Sequence, residues 1–290
     1  MAYATAKDGT KLYYKDWGKG EPIVLLHGWP LCGDSFDDAA VALAEGGKRC
    51  IIPDRRGFGR SDQPWDGYDY DTFADDVAAV LEDAGISEAV ALVGFSMAGG
   101  EVARFLTKHG PRRVSKAVLI SSVVPYMLQT EDNPHGVPQS IFDQIASGIK
   151  KDRAAFFTAF FKDFFGVGLV THPVSDEVLR DAWRQTMMAG LRPTLAAAQA
   201  YATTDFRPDL ASFTVPTLVI HGTADKTVPI DATGRVVAKQ VPGAKLIEYD
   251  GSAHGLFATD KDRLIADLLD FLGGAEGNEQ RSAIPLAQMV

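Results

Sequence analysis

Three residues of different type, each placed just behind a short apolar run, could together carry out acyl transfer. Ser96 follows 89-AVALVGF-95, Asp225 follows 215-VPTLVIHG-222 by three positions, and His254 follows 244-AKLIEYD-250 by four. A serine hydroxyl is a weak nucleophile: it needs a base within hydrogen-bond reach and a third group that holds that base in the right tautomer. A nucleophile, an orienting acid and a base are present here in the chain order Ser, Asp, His. The stretch around the serine, 94-GFSMAGG-100, departs from the G-x-S-x-G pattern of a strained strand-to-helix turn, because Ala98 stands where the second glycine belongs. Position 98 falls two residues into the expected helix, where right-handed geometry suits alanine. A positive φ there would break this reading.

Each of the three has competitors. Ser96 is also a residue type that caps helices. Asp231 is a second carboxylate near Asp225, and its place suggests the cap of a helix starting near 230. The loop behind 114-VSKAVLIS-121 offers only Ser121 and Ser122, with no acid. His109 lies near the end of the helix after Ser96, and His135 and His172 lie in a helical region. His27 and His221 sit in strand-to-loop turns, where histidines commonly satisfy backbone groups. His254, between Gly251 and Gly255, is the expected base. Acyl transfer also needs donors for a developing oxyanion. The N–H of Met97, directly after the serine, and that of Trp29, in 27-HGWP-30, are the expected pair. Trp29, Met97, Val228 and Phe160 are expected to contact the substrate.

Such residues need a rigid frame, and the pattern along the chain supplies one. Two alternating segments, 3-YATA-6 and 11-KLYYKDW-17, flank Asp8-Gly9 and read as a hairpin. Six Val/Ile/Leu-rich runs follow, at 22–28, 49–54, 89–95, 114–121, 215–222 and 244–250, as strands of a parallel sheet buried on both faces do. Helical patterns separate them near 34–45, 70–84, 97–109, 230–240 and 258–272. The expectation is an α/β fold, a mostly parallel sheet of about eight strands with helices on both faces. Ligands of such sheets bind beyond the carboxyl ends of the strands, where Trp29, Ser96, Asp225 and His254 all fall. Residues 124–210 lack a strand pattern, are punctuated by prolines, and read as a helical cap inserted into a core of 1–123 and 211–273; 274–290 reads as a tail. In 156-FFTAFFKDFFGV-167, phenylalanine pairs recur every four residues and give one apolar helix face, suited to a cap core or a pocket wall.

Composition narrows the partners. Of 290 residues, 46% are hydrophobic, and the net charge is -9. An acidic chain without a basic patch is a poor match for nucleic acid or an anionic membrane. The densest basic cluster, Arg55, Arg56 and Arg60, sits among Asp54 and Asp62 and reads as a solvated loop of internal ion pairs. No signal-peptide or membrane-span pattern is present, so a cytoplasmic protein is expected. Cys32 and Cys50 lack metal-ligand spacing and read as reduced, buried thiols. A small-molecule acyl substrate is the expected partner, and a homo-oligomer is compatible with the sequence.

Five stretches, HGWPLCGDSFD (27–37), DRRGFGRSD (54–62), GFSMAGGEVARF (94–105), HGTADKTVP (221–229) and YDGSAHGLF (249–257), resemble the bacterial cofactor-free haloperoxidases, or perhydrolases, and the similar aryl esterases of the α/β-hydrolase superfamily. The resemblance spans about 10–273; Ala98 replaces the family's usual glycine and Cys32 a more typical serine. It implies an α/β-hydrolase fold and an acyl-enzyme on Ser96, with His254 as base, Asp225 as orienting acid and Trp29 and Met97 at the oxyanion. No haem, metal or other cofactor is implied. Pro30, after Trp29, is implied to stiffen the oxyanion loop and to permit hydrogen peroxide as a second nucleophile, giving a peracid. The rival reading is a non-enzymatic hydrolase-like protein that binds a small ligand as receptor or regulator.

Overall fold

The computed structural model describes residues 2–273; the tail expected at 274–290 lies outside them. Strands β1 (Ala2–Thr5) and β2 (Lys11–Gly18) pair antiparallel across a turn in which Gly9 takes φ +90° and the Asp8 carboxylate accepts from the Thr10 N–H. Six further strands run parallel: β3 (Glu21–Leu26), β4 (Lys48–Pro53), β5 (Val90–Phe95), β6 (Val114–Ile120), β7 (Thr217–Gly222) and β8 (Lys245–Tyr249). The sheet has eight strands in the order β1-β2-β4-β3-β5-β6-β7-β8. Every residue of β5 and of β7 is buried, as a sheet covered on both faces requires.

The cover comes from helices α1 (Asp37–Glu45), α2 (Tyr70–Asp83) and α3 (Ala98–His109). Asp69 caps α2 by accepting from the Thr72 N–H at 2.9 Å. Between β6 and β7 the chain forms α4 (Gln139–Phe165), α5 (Asp176–Met188) and α6 (Leu191–Thr203). Helix α4 bends at Asp152, whose non-helical backbone (φ -159°, ψ 92°) and side chain, accepting from the Ala155 N–H, restart the helix. The restarted half carries the phenylalanine pairs. Phe157, Phe161, Phe164 and Phe165 are buried, each contributing roughly 2–3 kcal/mol of apolar burial. Helix α7 (Gly234–Gln240), α8 (Leu256–Thr259) and α9 (Lys261–Gly273) complete the fold, with α9 packed on α1 and α2 on α3. Among the described residues no helix is long and apolar enough to cross a membrane. Both cysteines are free and buried, and burial pushes each thiol up to about 12.

Two expectations need correction. Helix α7 begins at Gly234, so Asp231 caps nothing and instead pairs with Arg235 at 2.7 Å, one helical turn on. The arginine cluster is solvated only at Arg60, which is partly exposed and keeps the expected internal pair with Asp54. Arg55 and Arg56 are buried, because each meets a carboxylate distant in sequence: Arg55 pairs with Glu101, and Arg56 forks onto Asp76 at 2.5 and 2.6 Å and reaches Asp8 at 2.7 Å. Arg60 joins Asp54 and Asp34.

Candidate active site

Ser96 stands between β5 and α3 with φ +56°, a left-handed backbone that a non-glycine residue adopts only where its surroundings enforce it. The enforcement is visible. The Ser96 N–H donates to Ile120 O at 2.8 Å, and Ser96 O accepts from the N–H groups of Gly99 and Val123. Its hydroxyl is not a helix cap: Met97 occupies the N-cap position of α3, and Ser96 Oγ lies 2.9 Å from His254 Nε2.

His254 follows β8, and its ring lies against Phe164 of α4 and Phe95 of β5, with centroids 4.8 and 5.0 Å away. Its Nδ1 lies 2.6 Å from Asp225 Oδ2, which fixes the ring proton on Nδ1 and leaves the Nε2 lone pair facing Ser96. Asp225 follows β7, and its Oδ1 accepts from the N–H groups of Thr227 and Val228 at 2.9 and 2.8 Å. Burial alone would raise this carboxyl, but the charge that His254 carries when protonated and the hydrogen bonds from His221 and His254 outweigh it and hold it far below the usual carboxylate range.

The two expected oxyanion donors come from separate elements held together by buried charge. Among the described residues neither the Met97 nor the Trp29 N–H donates to a protein acceptor. The peptide that carries the Met97 N–H is held through its own carbonyl, Ser96 O, which accepts from Gly99 and Val123, and Tyr70 Oη donates to the next carbonyl, Met97 O, at 3.0 Å. Arg55 gathers the other loop: its backbone N–H donates to His27 Nε2 at 2.9 Å and its guanidinium to His27 O at 2.6 Å, while Glu101, in the first turn of α3, takes the remaining side. The pair therefore ties the Trp29 loop to the helix that starts behind Ser96. The Trp29 indole donates to Thr194 O of α6 at 3.0 Å and packs on Phe157, Phe160 and Tyr201; its bond to Pro30 is cis. On the opposite side the Gly255 N–H, next to His254, donates to Phe164 O of α4 at 2.9 Å. The inserted helices are thus bonded to the loops on both sides of Ser96.

All seven sequence-derived positions lie at this end of the sheet or on α4, but with different exposure of role. Ser96, His254 and Asp225 form one line of contacts. Phe160 is half-buried while Phe157, Phe161 and Phe164 are fully buried, so it is the member of that run with a face to spare beside Trp29. Val228 is buried, with its N–H on Asp225 and its carbonyl on His221. Arg55, Glu101, Tyr70 and the approach of His221 to Asp225 escaped the sequence reading. A histidine near the end of a parallel strand, four residues before the acid, was the available signal for the last.

Ala98 begins α3, and the non-glycine residues with positive φ among those described are Ser96 and Ser121 (44°), so its backbone is one that alanine tolerates. The crowding falls elsewhere. A Cβ on Gly94 would lie 2.6 Å from Ala98 O and 2.9 Å from Gly99 N, both backbone atoms. Gly94→Ala is therefore expected to destabilise the fold by about 3 kcal/mol or more, and Ala98→Gly by less than about 1 kcal/mol, measured by urea unfolding. Ester turnover should survive only in the second variant.

A family model described as alpha/beta hydrolase fold matches residues 21–261. The chain is 42% identical over 274 residues to the non-heme chloroperoxidase CPO-A1 of Kitasatospora aureofaciens, covering 94% of this chain and 99% of that protein. It is 41% identical over 275 residues to the bifunctional esterase/perhydrolase DCH of Acinetobacter calcoaceticus, again covering 94% and 99%. The crystal structure of a bromoperoxidase from Bacillus anthracis superposes with a TM-score of 0.90 at 42% identity, over 94% of this chain and 99% of that one. Eight-stranded sheet, serine turn and whole-length similarity agree: the chain belongs to the alpha/beta-hydrolase fold family, with non-heme haloperoxidases and an esterase/perhydrolase among its relatives.

Proposed function

We propose that the protein is a serine hydrolase of small carboxylic esters, lactones or amides that works through an acyl-enzyme, and that hydrogen peroxide replaces water as a second nucleophile to yield a peracid. The observation that carries this is the unbroken line from Ser96 Oγ through His254 to Asp225, at 2.9 and 2.6 Å. Ser96 attacks the acyl carbon as His254 Nε2 takes its proton, and Asp225 holds the Nδ1–H and stabilises the imidazolium. The Met97 and Trp29 N–H groups receive the oxyanion, and His254 returns the proton to the leaving group. In the second half His254 deprotonates water or peroxide, the new O–C bond forms, and Ser96 regains its proton. An acid or a peracid leaves.

Trp29, Met97, Val228 and Phe160 line the acyl pocket in this reading. All four side chains are apolar and two of them, Trp29 and Phe160, are aromatic, which favours compact, uncharged acyl groups. The two free, buried thiols support a reducing, cytoplasmic setting.

A fluorophosphonate probe is expected to add once, on the peptide carrying Ser96, and to abolish turnover of p-nitrophenyl acetate. Labelling of another residue, or full turnover after complete labelling, overturns the nucleophile assignment. Peracid formation from acetate esters and peroxide should vanish in the labelled protein; if it persists, the perhydrolase half of the proposal fails. Absence of turnover on every ester, lactone and amide would favour a ligand-binding protein.

A further inference from the structure

His221 is the penultimate residue of β7 and is completely buried, directly behind the carboxylate that faces His254. Its Nε2 lies 2.9 Å from Val228 O and 3.4 Å from Asp225 Oδ2. Both neighbours are acceptors, so Nε2 carries the ring proton and shares it unequally between them. The other ring nitrogen, Nδ1, is buried without a hydrogen-bond partner among the described residues. Gly234, the first residue of α7, packs against that side: a Cβ there would stand 2.9 Å from Nδ1. A proton on Nδ1 would be an unsatisfied buried donor, whereas a bare lone pair is the lesser cost. One tautomer is therefore built in.

We propose that His221 is a positioning residue for the acid: its Nε2–H steadies Asp225 Oδ2 from the strand side and keeps the carboxylate turned toward His254. The inference rests on the acyl-transfer reading of the site. Asp225 Oδ1 is already held by two backbone N–H groups of the following turn. Those bonds fix one oxygen, and rotation about them would still swing Oδ2. His221 supplies the second point of support, from a rigid strand instead of a turn. The long contact matters. At 3.4 Å, shared with a nearer carbonyl, it draws little density from Oδ2, which remains free for the 2.6 Å bond to His254. A full-strength donor in its place would compete with His254 for the same oxygen. The other groups around His221 do not interfere: Glu248, opposite it in the β7–β8 register, is paired with Arg235 at 2.7 Å, and Ser121 at the end of the neighbouring strand β6 is uncharged.

The test compares His221→Leu with His221→Gln, whose amide can again donate from the Nε2 position, using p-nitrophenyl acetate across the titration range of histidine and Ser96→Ala as reference. His221→Leu is expected to lower kcat by about 10- to 100-fold with KM unchanged, taking as the scale the loss when a partner that orients a metal ligand is removed. It should also move the acidic limb of kcat/KM to lower pH, because a carboxylate no longer held toward His254 stabilises its imidazolium less. His221→Gln should restore most of both. Unchanged kcat and an unmoved limb in a folded Leu variant overturn the proposal. So does a loss shared equally by Gln with an unmoved limb, which marks a packing role only. If neither variant folds, nitrogen-15 spectra of the histidine-labelled native protein decide: a proton on Nδ1 of His221 overturns the proposal, and a proton on Nε2 upholds it. Turnover that survives Ser96→Ala would instead remove the reading beneath it, a result that the His221 variants do not imitate.

Discussion

Ser96→Ala is expected to lower kcat/KM for p-nitrophenyl acetate by about 10^4- to 10^6-fold, the range for loss of a nucleophile in a Ser-His-Asp site. Folding should be spared. The left-handed backbone at 96 is held by main-chain bonds to Ile120, Gly99 and Val123, and none of these involves the hydroxyl. Alanine keeps the same Cβ and the same strain, so only the 2.9 Å contact with His254 is lost. Unfolding midpoints of the two proteins should coincide, and a residual rate above that in water should persist, because the Met97 and Trp29 N–H groups still polarise a bound ester. A parallel loss of stability and activity would mean that the hydroxyl organises the turn and would call the nucleophile assignment into question. Turnover within tenfold of the parent would refute it outright.

What made this site legible is that its residues follow strands buried on both faces, and such strands appear in the sequence as apolar runs. His-Gly alone carries little information: it occurs at 27–28, 109–110, 135–136, 221–222 and 254–255. The run of strand residues before 27, 221 and 254 is what separates three of these from the rest. The buried arginines were not legible, because the charges that admit them to the core are remote in sequence. Arg55 meets Glu101 across 46 residues, and Arg56 meets Asp8 across 48. Local charge alternation around 54–62 looks the same whether a loop is solvated or folded inward. The His221 contact was hidden for a related reason. It depends on how tightly the turn after β7 brings Asp225 back over the strand end, a geometry that spacing of four residues does not specify. Ala98 shows the converse: the departure from the glycine pattern was visible, and its harmlessness followed from placing it in a helix. The true steric limit, Gly94 against the backbone of Ala98 and Gly99, arises from how closely α3 folds back on β5, which the local sequence does not specify.

Asp225→Asn tests the acid more sharply than deletion would, because every contact the carboxylate makes is with a donor. Oδ1 faces the N–H groups of Thr227 and Val228, and Oδ2 faces His254 Nδ1 and His221 Nε2. An amide must therefore turn its NH2 toward N–H groups on one side or the other. The less costly choice keeps the carbonyl on the backbone pair and points the NH2 at His254. His254 then moves its proton to Nε2 in order to accept, and the nitrogen facing Ser96 no longer has a lone pair. The expected result is a loss of about 10^4-fold in kcat at neutral pH from the wrong tautomer. A stability loss of about 1–3 kcal/mol should accompany it, from loss of the charge-assisted bond to His254, since the Nε2–H of His221 keeps Val228 O as its nearer acceptor. The pH dependence of stability should change as well. The carboxyl of Asp225 is held below its ordinary value in the fold, so its ionised form contributes stability that is complete above the unfolded carboxylate range near pH 4 and declines as pH falls through it. Urea unfolding at a series of acidic pH values should show that decline in the parent and a flatter one in Asp225→Asn, with the two curves converging as pH drops. Parallel curves would mean that the carboxylate is not ionised behind His254 in the native protein.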